Sequence, residues 1–200
     1  MVTILRTRDR STVPWKNGGG LTREVAAHPP GSDLGSFLWR MSIAEVRCAA
    51  PFSSFSGVDR HMAVLEGRLR LAIQGQDNVE LTPESPPVSF AGDVVAFAEP
   101  LGAAVTDLNV MTRRGRFTAQ LTRHRLSGRT TLHLDSGTTV IVALSALTVR
   151  TAASDVQLAP LDAALIGDVT RLDLAAAAVG AGEGSASLYL AHLVECRASH

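Results

Sequence analysis

Cysteine is almost missing from this 200-residue chain. Cys48 and Cys196 stand far apart, which excludes a disulfide framework and any C-x-x-C metal or redox motif. Neither charge is in excess: nineteen basic residues balance nineteen acidic ones, so no overall field draws the chain to nucleic acid or an anionic membrane. No run approaches the ~18 apolar residues that span a bilayer. The opening Met1-Val2-Thr3-Ile4-Leu5-Arg6 has no apolar stretch of the kind a secretory signal needs. Together these absences predict a cytoplasmic protein with no nucleic-acid and no membrane partner.

Metal and phosphate signatures are missing too. His28, His61, His124, His133, His192 and His200 show no H-x-H, H-x-x-x-H or H-E-x-x-H spacing, leaving only a site assembled from distant strands. Neither a metal nor a cofactor is expected. The order G-x-x-x-x-G-K-[ST] is absent, and no helix-forming segment follows the glycine run to lend its N-terminus to a phosphate.

What is present is short runs of Val, Leu, Ile, Thr and Phe, broken by Gly, Pro, Asp, Asn and Ser, the texture of antiparallel β-structure. Strands are expected over Leu21–Val25, Phe37–Val46, Met62–Leu65, Leu69–Ile73, Asn78–Leu81, Val94–Ala98, Ala103–Met111 and Phe117–His124. The second half offers Thr130–Leu134, Thr138–Ala143, Leu147–Arg150, Leu161–Ile166 and Leu188–Val194. Only Leu172–Val179, with its alanines, favours a helix by propensity. A hydrophobic content of 46% suffices for the core of one domain or two small ones, and so many short strands suggest an all-β sandwich or barrel. Around Leu126-Ser127-Gly128-Arg129 the character changes, and beyond it there is no Trp, Lys or Phe.

Three segments carry chemistry. In Pro14-Trp15-Lys16-Asn17-Gly18-Gly19-Gly20-Leu21-Thr22-Arg23-Glu24, a glycine run implies a positive φ or a close backbone approach to something bulky, with donors and acceptors on both sides. A plain turn between strands, with Trp15 as core, satisfies the same pattern. In Phe37-Leu38-Trp39-Arg40-Met41-Ser42-Ile43-Ala44, period-two alternation sets Arg40 and Ser42 opposite Phe37, Trp39, Met41 and Ile43. The arginine is either a solvated surface residue or a two-pronged anion contact in a polar lumen. In Thr106-Asp107-Leu108-Asn109-Val110-Met111, alternation sets Asp107, Asn109 and Met111 opposite Leu108 and Val110, as a compact hydrogen-bonding pair or as a polar edge.

A fourth segment, Pro51 to Gly67, ends in Val64-Leu65-Glu66-Gly67 and resembles the strand-turn closing the first cupin motif. Metal-binding cupins have a histidine pair and a glutamate upstream of this glycine. Here Arg60 holds the glutamate position, and Ser53, Ser54, Phe55 and Ser56 surround that of the histidines. Taken in order, the Pro14 to Glu24, Phe37 to Ala44, Pro51 to Arg60 and Asp107 to Met111 motifs resemble the HutD/Ves family over about the first 115 residues. The resemblance implies a bicupin: a pocket-bearing barrel or jelly roll over residues 1–125 and a degenerate second one over 126–200, with strands that can be exchanged. It further implies an association with bacterial histidine utilisation, through binding of an intermediate such as urocanate or formylglutamate, or with stress responses in the Ves branch.

The leading expectation is a metal-independent binding protein for a small carboxylate. Lys16, Arg23, Arg40 and Arg60 would neutralise the acid, and Asn17, Thr22, Ser42, Asp59, Asp107 and Asn109 would read its polar groups. Trp15 or Trp39 would cover a planar ring. The alternative is a cofactor-free isomerase or hydrolase using Glu24, Glu66, Asp59 or His61 as base; a third is a scaffold for protein contacts. A homodimer through sheet edges is compatible with the strand-rich pattern.

Overall fold

The computed structural model describes residues 2–15, 17–150, 155–167, 169–176 and 184–196. In chain order the strands are β1 (Val2–Leu5), β2 (Thr12–Pro14), β3 (Gly20–His28), β4 (Trp39–Val46), β5 (Ala50–Pro51) and β6 (Val58–Glu66). Then come β7 (Leu69–Ile73), β8 (Val79–Leu81), β9 (Val88–Ala91), β10 (Ala96–Pro100), β11 (Val105–Arg113), β12 (Phe117–Ser127) and β13 (Arg129–His133). The last are β14 (Thr138–Ala143), β15 (Leu147–Arg150), β16 (Asp155–Leu158), β17 (Ala163–Gly167), β18 (Arg171–Ala176) and β19 (Ser185–Glu195). One 3-10 turn, Thr7–Asp9, is the only helical element among the described residues. No helix among them is long and apolar enough to cross a membrane.

Two compact units result. One comprises Arg10–Ala119 with Glu195–His200, the other Met1–Asp9 with Gln120–Val194. The division expected at 125/126 therefore falls between Ala119 and Gln120, and the first strand belongs with the second half of the chain. The first unit holds a six-stranded sheet, β2-β3-β4-β11-β6-β9, and a four-stranded one, β5-β10-β7-β8. The second holds β1-β17-β14-β19-β12 and β13-β18-β15-β16. These are open sheets; hydrogen bonding closes none of them into a barrel among the described residues.

Alternating burial explains the elements. In β7 the pattern buries Leu69, Leu71 and Ile73, which pack with Met62, Val64, Val46, Val105, Ala96 and Ala98 between the two sheets of the first unit. In the second unit Leu172 and Leu174 of β18 pack with Ile141, Leu147, Val149 and Leu188. This corrects the helix expected over Leu172–Val179: through Ala176 the segment is a strand, paired with β13 and β15, and residues 177–179 lie outside the described residues. Two leucines at period two, buried against the core, outweigh the helix propensity of alanine. β6 also starts at Val58, earlier than the expected Met62, so Arg60 and His61 are strand residues.

The glycine run is the hairpin between β2 and β3. Trp15 N–H donates to Gly20 O at 2.9 Å and Gly18 N–H to Trp15 O at 3.0 Å. Gly18 has φ +72 with open space where a Cβ would stand. Gly19 and Gly20 are needed for closeness: a Cβ on Gly19 would lie 2.8 Å from the Ala50 Cβ, and one on Gly20 would run into the Glu45 carbonyl and the Trp15 ring. The bulky partner the run accommodates is thus the chain itself. Two substitutions separate these roles by chemical denaturation: Gly18→Ala costs about 1 kcal/mol for its left-handed backbone, whereas Gly20→Ala costs about 3 kcal/mol by overpacking against a backbone that cannot move.

Candidate functional site

β11 lies between β4 and β6, and its register sets side chains in rows across the sheet. Arg40, Met111 and Arg60 form one row; Ser42, Asn109 and Met62 the next; Ala44, Asp107 and Val64 the third. β3 extends the last two rows with Glu24 opposite Ser42 and Thr22 opposite Ala44. Thr22, Glu24, Arg40, Ser42, Arg60, Asp107 and Asn109 therefore share one face of the sheet. Two register shifts flank the group, between Glu24 and Ala26 on β3 and at Thr106/Asp107 on β11, where bulges re-aim side chains.

The polar atoms here divide into satisfied and unsatisfied. At the open end Arg40 Nε donates to Glu24 Oε2 at 2.8 Å, and Arg40 Nη1 reaches Ser42 Oγ at 3.4 Å. Deeper in, Arg60 is 5% exposed, Asp107 1% and Asn109 6%. Both Asp107 carboxylate oxygens, Asn109 Oδ1 and Arg60 Nε are buried with no hydrogen-bond partner among the described residues. Arg60 is instead wrapped by rings: its guanidinium carbon lies 4.8 Å from the centroid of Phe52, 5.0 Å from Phe90 and 5.9 Å from Phe55. Its Nη1 approaches Ser53 O at 3.5 Å. Phe52 also meets Trp15 edge to face at 6.0 Å, and Trp15 Nε1 donates to Thr22 Oγ1 at 2.7 Å. An aromatic wall thus runs from Thr22 to Arg60.

Burial sets the charge state of this group. Removal from water pushes the Asp107 carboxyl up to about 7, with the Arg60 charge pulling the other way. Burial likewise brings Arg60 down to about 10, opposed by Asp107, so the guanidinium stays charged at neutral pH. The arrangement offers a fixed buried cation and, beside it, a carboxyl that gains or loses its proton near pH 7.

The remaining expected residues lie elsewhere. Arg23 pairs with Ile43 on the reverse face, and its Nε donates to Thr12 Oγ1 at 3.1 Å. Asp59 is also on the reverse face, where its Oδ1 accepts from Arg114 Nε at 2.9 Å beside a depression of about 370 Å³ that His61 and Ser89 line. Asn17 is exposed and serves the hairpin: its Oδ1 accepts from Gly19 N–H at 3.0 Å. Lys16 lies outside the described residues. Trp39 stacks on His28 at 5.9 Å on the reverse face, so of the two tryptophans only Trp15 adjoins the polar group, through Thr22 and Phe52. Of the expected bases only Glu24 is on the polar face, and it is bound to Arg40. Sequence reasoning missed the cage: Phe52 and Phe55 belong to the cupin-like segment, but that Phe90 pairs with Arg60 follows only from the β6–β9 register.

Among the described residues no three His, Cys, Asp or Glu side chains cluster as a metal would require. The second unit has a cleft of about 1330 Å³ whose lining includes Arg6, Arg129 and Arg150. Two of these are already committed, Arg6 to Asp162 at 2.8 Å and Arg150 to Asp155 at 3.2 Å.

The pKa of Asp107 has a definite consequence for stability. Between about pH 4 and 7 the folded chain holds a proton on Asp107 that the unfolded chain has lost, so stability falls as pH rises through that window and stays reduced above it. Asp107→Asn removes this dependence. Denaturation curves across pH will show the variant gaining on the parent chain from pH 4 to 8, by on the order of 4 kcal/mol; a difference independent of pH would refute the assignment.

An uncharacterised 21.2 kDa protein of the hutC 3′ region of Pseudomonas putida is 37% identical over 119 residues, 59% of this chain and 62% of that one. Protein Ves of Citrobacter koseri is 39% identical over 109 residues, 54% of this chain and 56% of its own. The chain thus spans less than two thirds of the length of these curated relatives. A crystal structure of a conserved protein of unknown function from Pseudomonas aeruginosa superposes with a TM-score of 0.86 at 28% identity, covering 96% of this chain and 98% of that one. A cupin 2 conserved barrel domain protein from Leptotrichia buccalis matches in fold alone, with a TM-score of 0.60 at 8% identity over 91% and 92% of the two chains. The model of the HutD family covers residues 7–182, and by that match, over a cupin-like all-β fold, the chain belongs to the HutD family.

Proposed function

We propose that the first unit binds a small carboxylate metabolite, of the urocanate or formylglutamate class, without a metal, and so senses or regulates flux in histidine utilisation. The observation that carries this reading is the Arg60 guanidinium: it is charged, nearly fully buried, caged by three phenylalanines, and has a buried Nε with no partner among the described residues. A desolvated cation without a matched acceptor is costly, and a ligand carboxylate supplies the missing charge and acceptors together. Arg40, held by Glu24 at the open end, and Thr22, Ser42, Asp107 and Asn109 on the same face complete the ligand set.

One observation favours a second reading, a cofactor-free isomerase or hydrolase of a similar acid. Asp107, with its carboxyl brought to about 7, is matched to proton transfer at neutral pH.

Calorimetric titration of the whole chain with urocanate, formylglutamate, histidine and glutamate tests both readings. One acid binds in the micromolar range, and Arg60→Gln weakens it by about 2 kcal/mol, roughly thirtyfold in Kd. Heat from none of them, or equal affinity in the variant, would sink the carboxylate reading. Turnover of the bound acid, followed by NMR and lost in Asp107→Asn, would replace sensing with catalysis.

A further inference from the structure

The second unit, which has no part in the carboxylate reading, carries a separate concentration of hydrogen-bond donors. In the sheet β13-β18-β15-β16, Arg129 and Thr148 both pair with Ala175, and Gln157 pairs with Thr148, so these four side chains form one row. Leu147, Val149 and Leu174 alternate with the row and turn to the core on the opposite face. All four row residues line the cleft of about 1330 Å³, and no aspartate or glutamate is among its described lining residues. Arg129, at the β13 end, makes no ion pair or side-chain hydrogen bond among the described residues, and neither does the Thr148 hydroxyl. At the β16 end, about 14 Å across three strand spacings, Arg6 donates through Nη1 to Gln157 O at 2.7 Å and to Asp162 Oδ2 at 2.8 Å. Arg150, in the next row on β15, gives Nη2 to Asp155 at 3.2 Å, and its buried Nε has no partner among the described residues. Arg6 and Arg150 thus each engage one nitrogen of the guanidinium fork, and other N–H groups remain. The acids of this face lie in the row of Arg150 and are taken up there, Asp155 by Arg150 and Asp173 by Thr131 and Arg171.

The lining also tells what kind of anion fits. No aromatic ring is among the described lining residues, and Leu147 and Leu158, which do line the cleft, are each only 1% exposed. The floor beside the arginines is small, with Gly128, Ala175 and Ala176. A carbon skeleton has little apolar surface to rest on, whereas a phosphate chain presents oxygen on nearly every side and meets donors along the whole row. Guanidinium forks match phosphate oxygens in pairs, and cations at both ends of a row suit charge spread along a ligand's length. We propose that this cleft binds a multiply charged phosphate compound laid along the row from Arg129 to Gln157, with Arg129 and Arg6 at its ends and Arg150 beside its middle. Arg129, the guanidinium that no acid of the described chain neutralises, supplies most of the affinity.

Calorimetric titration of the whole chain at fixed ionic strength, with inorganic tripolyphosphate, ATP and citrate, tests this. Tripolyphosphate binds saturably, one per chain, and at least ~10-fold more tightly than citrate. Arg129→Gln, at an exposed position where the fold tolerates the change, weakens tripolyphosphate by ~10-fold or more. Arg47→Gln, which removes an exposed charge from the first unit, leaves it unaltered. ATP carries the same chain on a nucleoside: affinity within ~3-fold of tripolyphosphate marks the chain alone as what is read, and tighter binding marks a nucleotide, and either upholds the phosphate site. If citrate binds as tightly, the cleft reads charge alone and the phosphate assignment is overturned. Heat that does not saturate, or equal affinity in Arg129→Gln, overturns the site itself while leaving the carboxylate reading of the first unit untouched.

Discussion

Everything in the candidate site depends on the pairing of β11 to strands on both of its edges. Hydrogen-bonded to β4 and to β6, this strand is buried at nearly every position, whichever face the side chain takes. A slip of one residue would exchange Asp107, Asn109 and Met111 for Leu108 and Val110 on the polar face, and the rows that join Arg40, Ser42 and Arg60 to them would vanish. Strand pairing, a purely backbone interaction, therefore decides which side chains can meet a ligand.

Within that frame the sheet carries a contradiction. Met62, Val64, Val46 and Val105 bring apolar core up to the polar group, while Arg60, Asp107 and Asn109 sit among them with buried atoms unpaired. A sequence selected for stability alone would fill these positions with Val and Leu, as it does in β14, where Val140, Ile141 and Val142 are wholly buried. The low polarity that makes the empty arrangement costly also makes its response to a charged ligand strong, since the same desolvation that moves Asp107 toward neutrality magnifies any new contact with Arg60. The Glu24–Arg40 pair at the rim is more exposed, and water weakens it.

The first motif supports this face indirectly. Its glycines let the hairpin fold tightly around Trp15, which leans on Phe52, which in turn lies against Arg60. A ligand-facing residue is thus held by a chain of ring contacts that begins in a turn with no chemistry of its own.

Period two was enough to tell from the residues alone that Arg40 sides with Ser42, and Asp107 with Asn109, because side-chain alternation is a local property of any strand. The short apolar runs likewise specified a chain made almost wholly of strands. Alternation leaves open which face of one strand joins which face of the next. Arg23 and Asp59 seemed as well placed as Thr22 and Arg60 until the pairing put them on the reverse side, and Phe90 had no reason to be linked with Arg60. Local propensity misled at Leu172–Ala176, where neighbours on both edges and a buried face overrode the preference of alanine. Sequence determined the strands and the alternation within each, which depend on a residue and its immediate neighbours. Only the tertiary structure decided the register between strands and the desolvation of Arg60 and Asp107, because both depend on residues distant in the chain.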